Sequence, residues 1–507
     1  MANGDLDLEL SSAFDGIYDT QNGIAVFKML IDGNWRSSER GELLDVHTPI
    51  DGSIVAKAQM ATVSDVISAT KAAKEKRGIN ELPGRERIEI FERAVALMEK
   101  HRDEFVRVLQ IEAGKTKSDA KGEFDAAVQR LRLSRQEAER FWGEVIQGEW
   151  NYSTKEKMAV IIREPVGVVA AIIPFNYPLF IATTKIVPAL LAGNSVVIKP
   201  SSSNPISAIL LTRVLESAGV PKGSMNLITG RGEESGDALV KSENVDMINF
   251  TGSTPVGKRI SQMAVMKRLH LELGGKAYAL VLEDADLDLA AAKCVQGSLK
   301  FAGQRCDAVS AILATEPIAE TLSVKIVTEV DKWKLGDPRD PSVTIGPVIS
   351  LRAAASINDL VKDAVTNGAQ LLRGGKFQST YFEPTVLDYV PPHAKIAREE
   401  VFGPVISIIR CKDEQEALNF ARQSNFGLES CVFTRDFSRM WRVARALECG
   451  EVTINDYPSH GVGYFPFGGI KQSGLGREGI GYSIEEMTNL KTIVFNLAPG
   501  EREKIEL

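Results

Sequence analysis

Cysteine is scarce in this chain. Its five residues, at 294, 306, 411, 431 and 449, are odd in number and never form a C-x-x-C pair. That spacing argues against a disulfide framework or a zinc site and for a reducing compartment. Histidine is as thin, with five residues and no pair at i, i+4, so no metal site is expected. Long apolar runs are missing too. The longest, Val166 to Ala182, is broken by Pro174, Asn176, Tyr177 and Pro178, whereas a membrane helix needs about 20 uninterrupted apolar residues. Met1 to Asp19 is acidic and lacks the basic start of a signal peptide. A formal net charge of −7 gives no basic field for nucleic acid or anionic lipid. Repeats and low-complexity segments are absent. These absences leave the expectation of a soluble, cytoplasmic protein with no metal, no nucleic acid and no membrane. At 507 residues, 44% apolar and 25% charged, it has material for two or three domains.

The pattern along the chain changes character once. Phe27 to Trp35 and Leu43 to His47 read as short strands around a Gly33-Asn34 turn. Val63 to Lys76 and Gly84 to Gly114 have helical spacing, with Ile88, Ile90, Phe91, Ala94, Leu97 and Met98 on one face. Phe124 to Phe141 is amphipathic and rich in arginine, and Gly143 to Ile162 reads as a projecting hairpin with a polar tip at Tyr152 to Lys157. From Val166 onward strands and helices alternate. Val166–Ile173, Ser195–Ile198, Met225–Ile228 and Asp246–Phe250 are the strands, and Ile206 to Ala218 is a helix. This is βαβ spacing, which predicts a doubly wound parallel sheet. A second α/β stretch runs from Ala279 to about Phe433, and Leu490 to Leu497 reads as a late strand.

Several segments carry candidate chemistry. Phe301-Ala302-Gly303-Gln304-Arg305-Cys306-Asp307 sets a thiol beside a cation, and Arg305 would favour the thiolate that attacks. A lone cysteine can equally be a small buried hydrophobe. Leu271-Glu272-Leu273-Gly274-Gly275-Lys276 places a carboxylate among apolar residues, where partial desolvation raises it toward a general base; a surface glutamate before a turn is the plainer alternative. In Pro174-Phe175-Asn176-Tyr177-Pro178 the asparagine can donate to an oxyanion or simply cap its own turn. Lys199-Pro200-Ser201-Ser202, Gly230-Arg231-Gly232 to Gly236, and Phe250-Thr251-Gly252-Ser253 end successive strands, where backbone N–H groups can cradle phosphate. Each alone is an ordinary turn; three on one sheet favour a nucleotide site. Gly474-Leu475-Gly476-Arg477-Glu478-Gly479 matches G-x-G-x-x-G but follows polar residues and leaves too little chain for a βαβ unit, so it is rejected as a fingerprint.

Taken together, these segments resemble the aldehyde dehydrogenases from about Phe27 to Leu497. Pro174 to Pro178, Lys199 to Ser202, Phe250 to Thr254, Glu272 to Lys276 and Gly303 to Cys306, with Glu400-Val401-Phe402-Gly403-Pro404 and Phe465-Pro466-Phe467-Gly468-Gly469, make seven motifs in family order. The resemblance implies an α/β fold with a Rossmann-like parallel-sheet cofactor domain (residues 1–140 and 163–272), a second α/β catalytic domain (273–470) and a small β oligomerisation element (141–162 and 488–507). It implies Cys306 as nucleophile, Glu272 as base, and Asn176 with the Cys306 N–H as oxyanion hole. Lys199, Ser202, Gly232, Gly252 and Ser253 would contact the cofactor, with Glu400 and Phe402 at its nicotinamide end. Family members that pass the acyl group to coenzyme A usually lack the glutamate, so its presence favours hydrolysis of a cysteine thioester.

Arg305 and Tyr177 resemble the phosphate-contacting residues of the non-phosphorylating glyceraldehyde-3-phosphate dehydrogenases. The Gln304 to Asp307 run and Ser459-His460-Gly461-Val462-Gly463-Tyr464 look most like the archaeal-type members. Two positions depart, with Ala126 and His460 standing where some members carry arginine. Phosphate reading then falls on Arg305, with His460 or a helix arginine such as Arg130 in support. NAD-preferring relatives carry a glutamate at the position of Ser202, which implies NADP here, with NAD possible. The expectation is NADP-dependent oxidation of glyceraldehyde 3-phosphate to 3-phosphoglycerate without inorganic phosphate, by a homo-tetramer or dimer. The alternatives are a dehydrogenase of an unphosphorylated small aldehyde (glyceraldehyde, lactaldehyde or a semialdehyde) and an inactive structural or binding protein on the same fold.

Overall fold

The computed structural model describes residues 6–139 and 141–497, so the expected segments 1–140 and 488–507 reach outside the described residues at 1–5, 140 and 498–507. An eight-stranded sheet runs in the order Gly474–Leu475, Arg268–Glu272, Met247–Thr251, Val168–Ile172, Ser195–Lys199, Met225–Leu227, Met29–Ile31, Asn34–Arg36. The central strands, from Arg268–Glu272 to Met225–Leu227, are parallel. Antiparallel strands close both flanks. Parallel strands covered on both faces need apolar residues throughout. Val168 to Ala171 and all of Ser195–Lys199 are accordingly buried, with separate apolar cores on the two faces.

The chain enters this sheet at Val168–Ile172, moves outward to Ser195–Lys199 and Met225–Leu227, then returns to the other side at Met247–Thr251. The reversal opens a crevice at the carboxyl ends of Val168–Ile172 and Met247–Thr251, the place where doubly wound sheets hold ligands.

Pro174 to Pro178 turns the first strand into the helix Pro178–Leu191, whose fourteen residues are all buried. Pro178 stands in its first turn, where no N–H is missed. Glu123, from the helix Lys117–Arg132, accepts hydrogen bonds from the N–H groups of Leu179 (2.9 Å) and Phe180 (3.1 Å) and pairs with Lys115 at 3.0 Å. A buried carboxylate thus satisfies an otherwise orphaned helix N-terminus.

A second sheet runs in the order Gln370–Arg373, Thr385–Asp388, Val405–Cys411, Val309–Thr315, Ala277–Val281, Glu429–Phe433, Glu451–Ile454. Its strands are parallel except the first pair. It has its own core. A third sheet is antiparallel and joins Glu144–Gln147, Lys157–Pro165 and Thr488–Asn496. Its hairpin begins as expected but extends to Pro165. Near the N-terminus, Tyr18–Gln21, Ile24–Phe27, Ile54–Gln59 and Leu43–His47 form a further sheet.

Two helical expectations need correction. The 84–114 stretch is two helices, Gly84–Lys100 and Arg102–Ala113, because His101 leaves helical geometry. The arginine-rich helix begins at Lys117, where the Thr116 side chain accepts from Asp119 N, and stops at Arg132 before the short helix Ser134–Ala138. No helix among the described residues is long and apolar enough to cross a membrane, and those residues contain no cluster able to hold a metal ion.

Candidate active site

Cys306 sits on a constrained loop. After the helix Leu287–Leu299 the backbone turns left-handed at Phe301 and Ala302 (φ +51 at both) and at Gly303 (φ +68). A Cβ on Gly303 would lie 2.2 Å from the Gly403 carbonyl oxygen, so only glycine fits. Consecutive positive-φ residues carry strain that the surrounding packing must hold, a feature typical of functional sites.

The expectation that Arg305 activates the thiol is corrected by the geometry. Arg305 is buried, pairs with Asp307 at 2.9 Å and donates to the Pro458 carbonyl at 2.8 Å. Its charge is already neutralised two residues away. Burial pushes the Cys306 thiol well above its usual range, and Asp307 adds to the rise. The thiol is therefore protonated in the ligand-free chain.

Glu272 ends the strand Arg268–Glu272 and is buried, with neither carboxylate oxygen engaged in a hydrogen bond among the described residues. Burial raises it to about 7, against the lowering effect of His270. A desolvated carboxylate with unspent lone pairs, poised near neutrality, has the character of a general base. The rejected G-x-G-x-x-G segment supplies Gly474–Leu475, which pairs antiparallel with Leu271 and Glu272 and covers the edge of their strand. Asn176, also buried, donates from Nδ2 to the Gln304 carbonyl at 3.2 Å, which ties the oxyanion candidate to the cysteine loop.

Two cavities meet at these residues. One, of about 520 Å³, fills the crevice at the sheet reversal. Lys199, Ser202, Gly232, Gly252, Ser253, Glu400 and Phe402 all line it. Lys199 is buried, and among the described residues it forms no ion pair, though Glu233 acts on it at longer range. Its ammonium donates to the carbonyls of Gly230 (3.0 Å) and Pro200 (3.3 Å), and burial lowers it to about 8. Ser253 stands at the N-cap of the helix Thr254–Met263 without capping it through its side chain, leaving that end open to an anion. Glu400 accepts from Gly275 N at 3.0 Å, and Phe402, itself at φ +51, stacks edge-on with Phe175. A cation lacking a carboxylate partner, an open helix N-terminus and an aromatic wall fit a dinucleotide phosphate carrier.

The other cavity is of about 630 Å³. Asn176, Thr251, Glu272 and Cys306 line both. The larger one also holds Tyr177, Arg305 and His460. Tyr177 takes the Lys115 ammonium over its ring at 3.8 Å. His460 packs against Phe467 (4.1 Å between ring centres), and burial lowers its pKa, so it is neutral. Arg130 is not on this wall. It is wholly buried against Glu137, because that pair holds the chain near Gly481 and Ile484, whose N–H groups donate to Glu137. Its suggested phosphate role is thereby withdrawn.

Sequence reasoning missed Lys300, which lines this cavity and makes no ion pair among the described residues. Its place at the end of the helix before the cysteine loop was the available signal. His270 was also missed; its spacing two residues before Glu272 on a strand puts both on one face.

Comparison with known proteins finds relatives along nearly the whole chain. A family model described as "Aldehyde dehydrogenase family" matches residues 35–493. The NADP-dependent glyceraldehyde-3-phosphate dehydrogenase of Streptococcus equinus is 39% identical over 477 residues, 93% of this chain and 99% of that protein. A lactaldehyde dehydrogenase of Methanococcus maripaludis is 38% identical over 472 residues, 92% of this chain and 100% of that protein. Among solved structures, the NADP complex of the NADP-dependent glyceraldehyde-3-phosphate dehydrogenase from Bacillus halodurans superposes with a TM-score of 0.91 at 39% identity. It covers 93% of this chain and 99% of its own.

Proposed function

The chain belongs to the aldehyde dehydrogenase family, and we propose that it oxidises glyceraldehyde 3-phosphate to 3-phosphoglycerate with NADP and without inorganic phosphate. What carries the reading is the meeting of two cavities at Cys306, Glu272 and Asn176, with Lys300 and Arg305 on the wall of the larger.

The chemistry follows from the residues. Cys306 gives up its thiol proton to water in the cavity, Sγ adds to the aldehyde carbon, and the oxyanion that forms is held by the Asn176 amide and the Cys306 N–H. NADP, when bound, supplies the hydride acceptor. Lys199, Ser202 and the Ser253 helix end would bind its phosphates, while Glu400 and Phe402 would hold its nicotinamide end. Cys306 carries the oxidised carbon as a thioester. Glu272 takes a proton from water as that water attacks the thioester carbon, and the acid leaves with the thiol restored. The choice of NADP rests on Ser202 and Lys199: a hydroxyl and an ammonium can donate to a 2′-phosphate that a carboxylate would repel.

A second reading, an unphosphorylated 2-hydroxyaldehyde such as lactaldehyde, draws on the pairing of Arg305 with Asp307 and on the neutral His460. NADPH formation from glyceraldehyde 3-phosphate, glyceraldehyde and lactaldehyde, each without inorganic phosphate, decides between them. A higher kcat/KM for the phosphorylated compound upholds the first reading; a higher value for lactaldehyde replaces it with the second.

A further inference from the structure

Glu272 has a neighbour that the reaction as described leaves unused. His270 lies two residues earlier on the same strand, so both side chains leave the same face. The His270 Nε2 is 3.3 Å from Glu272 Oε1. That contact is an ion-pair approach and not an aligned hydrogen bond, since neither atom is otherwise partnered. On its far side, His270 Nδ1 contacts the carboxylate of Glu486. Glu486 ends the short helix Tyr482–Glu486 and is held by the N–H of Arg477 at 2.7 Å. His270 is 2% exposed, whereas the Glu486 side chain is 30% exposed. The row therefore runs from the dry base to a hollow lined by Glu486, Arg163, Arg268 and Arg477.

The packing around the row is tight. Gly476 has φ +93, and a Cβ there would stand 2.6 Å from Glu486 and 2.7 Å from His270 Nδ1. The edge strand of the rejected glycine-rich segment thus runs directly into a clamp on this pair.

We propose that His270, held by Glu486, is a positioning residue that keeps Glu272 in the ionised, base-competent form during thioester hydrolysis. The inference rests on the reading of Glu272 as that base. The physical need is clear. A carboxylate without hydrogen bonds in a buried site is expensive to ionise. The other charges facing Glu272 are Glu478 and the buried Glu429, which oppose ionisation, and Lys185, which favours it but sits 3.7 Å from Glu478 and is largely committed there. The groups facing His270 are Glu272 and Glu486, with Glu478 also within electrostatic reach; the first two raise it to about 9 despite burial, so that it is an imidazolium at neutral pH. A cation fixed between two carboxylates gives Glu272 a counter-charge while leaving its lone pairs free for water.

The test is the pH profile of hydrolysis in His270→Gln and Glu486→Gln, with Glu272→Gln alongside. Removing the imidazolium disfavours the Glu272 carboxylate, so the rising limb moves to higher pH. An opposite charge at this range is worth about 1–3 pH units. At pH 7 His270→Gln should lose about fivefold or more in steady-state rate and regain it at alkaline pH, with KM and the size of the initial NADPH burst preserved. Glu486→Gln, an isosteric change at a side chain 30% exposed, should move the limb the same way by less. A wild-type limb in both variants overturns the inference. So does a loss of rate that is equal at every pH, which is the mark of packing alone. If Glu272→Gln itself hydrolyses thioester at the wild-type rate, the base reading has failed instead, and the two failures are separable.

Discussion

Lys300 offers the cleanest test of what the larger cavity recognises. It is partly buried on the wall, and burial together with Arg305 lowers its pKa while Asp119 acts the other way. Arg305 is a poorer choice for substitution. Its loss would leave Asp307, with a side chain 7% exposed, as an uncompensated buried charge. Breaking a buried pair on one side costs about 3–5 kcal/mol, enough to blur any effect on substrate. Lys300→Met keeps the apolar stem and removes only the ammonium. A hydrogen bond from a charged group contributes about 1.5–3 kcal/mol net. At about 1.4 kcal/mol per decade, kcat/KM for glyceraldehyde 3-phosphate should fall about 10- to 150-fold. Lactaldehyde, which has no anionic end, should be nearly unaffected. The assay is initial-rate NADPH formation with both substrates across a range of concentrations, and the ratio of the two kcat/KM values is the quantity of interest. An unchanged ratio in a folded variant refutes the assignment of Lys300 to an anionic substrate group.

Three further outcomes are expected. Cys306→Ser should abolish aldehyde oxidation while still binding NADP, as measured by cofactor fluorescence titration, because a serine hydroxyl without an adjacent base is a far weaker nucleophile; near-normal turnover would remove the covalent route. Ser202→Glu should weaken NADP more than NAD and shift the kcat/KM ratio toward NAD; equal NADP affinity in both forms would place Ser202 away from the 2′-phosphate. The sheet of Glu144–Gln147, Lys157–Pro165 and Thr488–Asn496 exposes Val145, Leu490 and Val494 at 64%, 62% and 58%, and a small exposed sheet of this kind needs a partner. Light scattering should report a dimer or tetramer, and a stable active monomer counts against that reading.

The candidate centre was legible because its parts are local. Glu272 before Gly274-Gly275, Asn176 between two prolines and Cys306 after Gly303 each announce themselves within a few residues, and βαβ spacing put the strands leading to Asn176 and Glu272 in one sheet, while Cys306 reaches them from the loop ahead of Val309–Thr315 in the second. What stayed hidden was pairing across distance. Arg305 reads as a free cation until its side chain is seen folded back onto Asp307 and Pro458. Arg130 reads as a surface helix arginine until the 463–484 region closes over it. Gly474–Leu475 carries a nucleotide-like pattern yet serves as an edge strand beside Glu272, and the contact between His270 and Glu486 joins residues 216 apart. Such pairings depend on the tertiary fold, and no periodicity along the chain encodes them.

The central claim is that the acyl group passes through a Cys306 thioester that Glu272 hydrolyses. Rapid-quench analysis of Glu272→Gln with saturating aldehyde and NADP addresses it most directly. The account predicts a burst of about one NADPH per site, a slow steady state, and an acyl adduct on the peptide containing Cys306 in the acid-quenched enzyme. In the wild type, the steady-state rate should rise with pH through about 7, as the Glu272 carboxyl loses its proton and becomes a base. Absence of both burst and adduct, with cofactor still bound, would contradict the account by moving Glu272 to a step before the thioester forms.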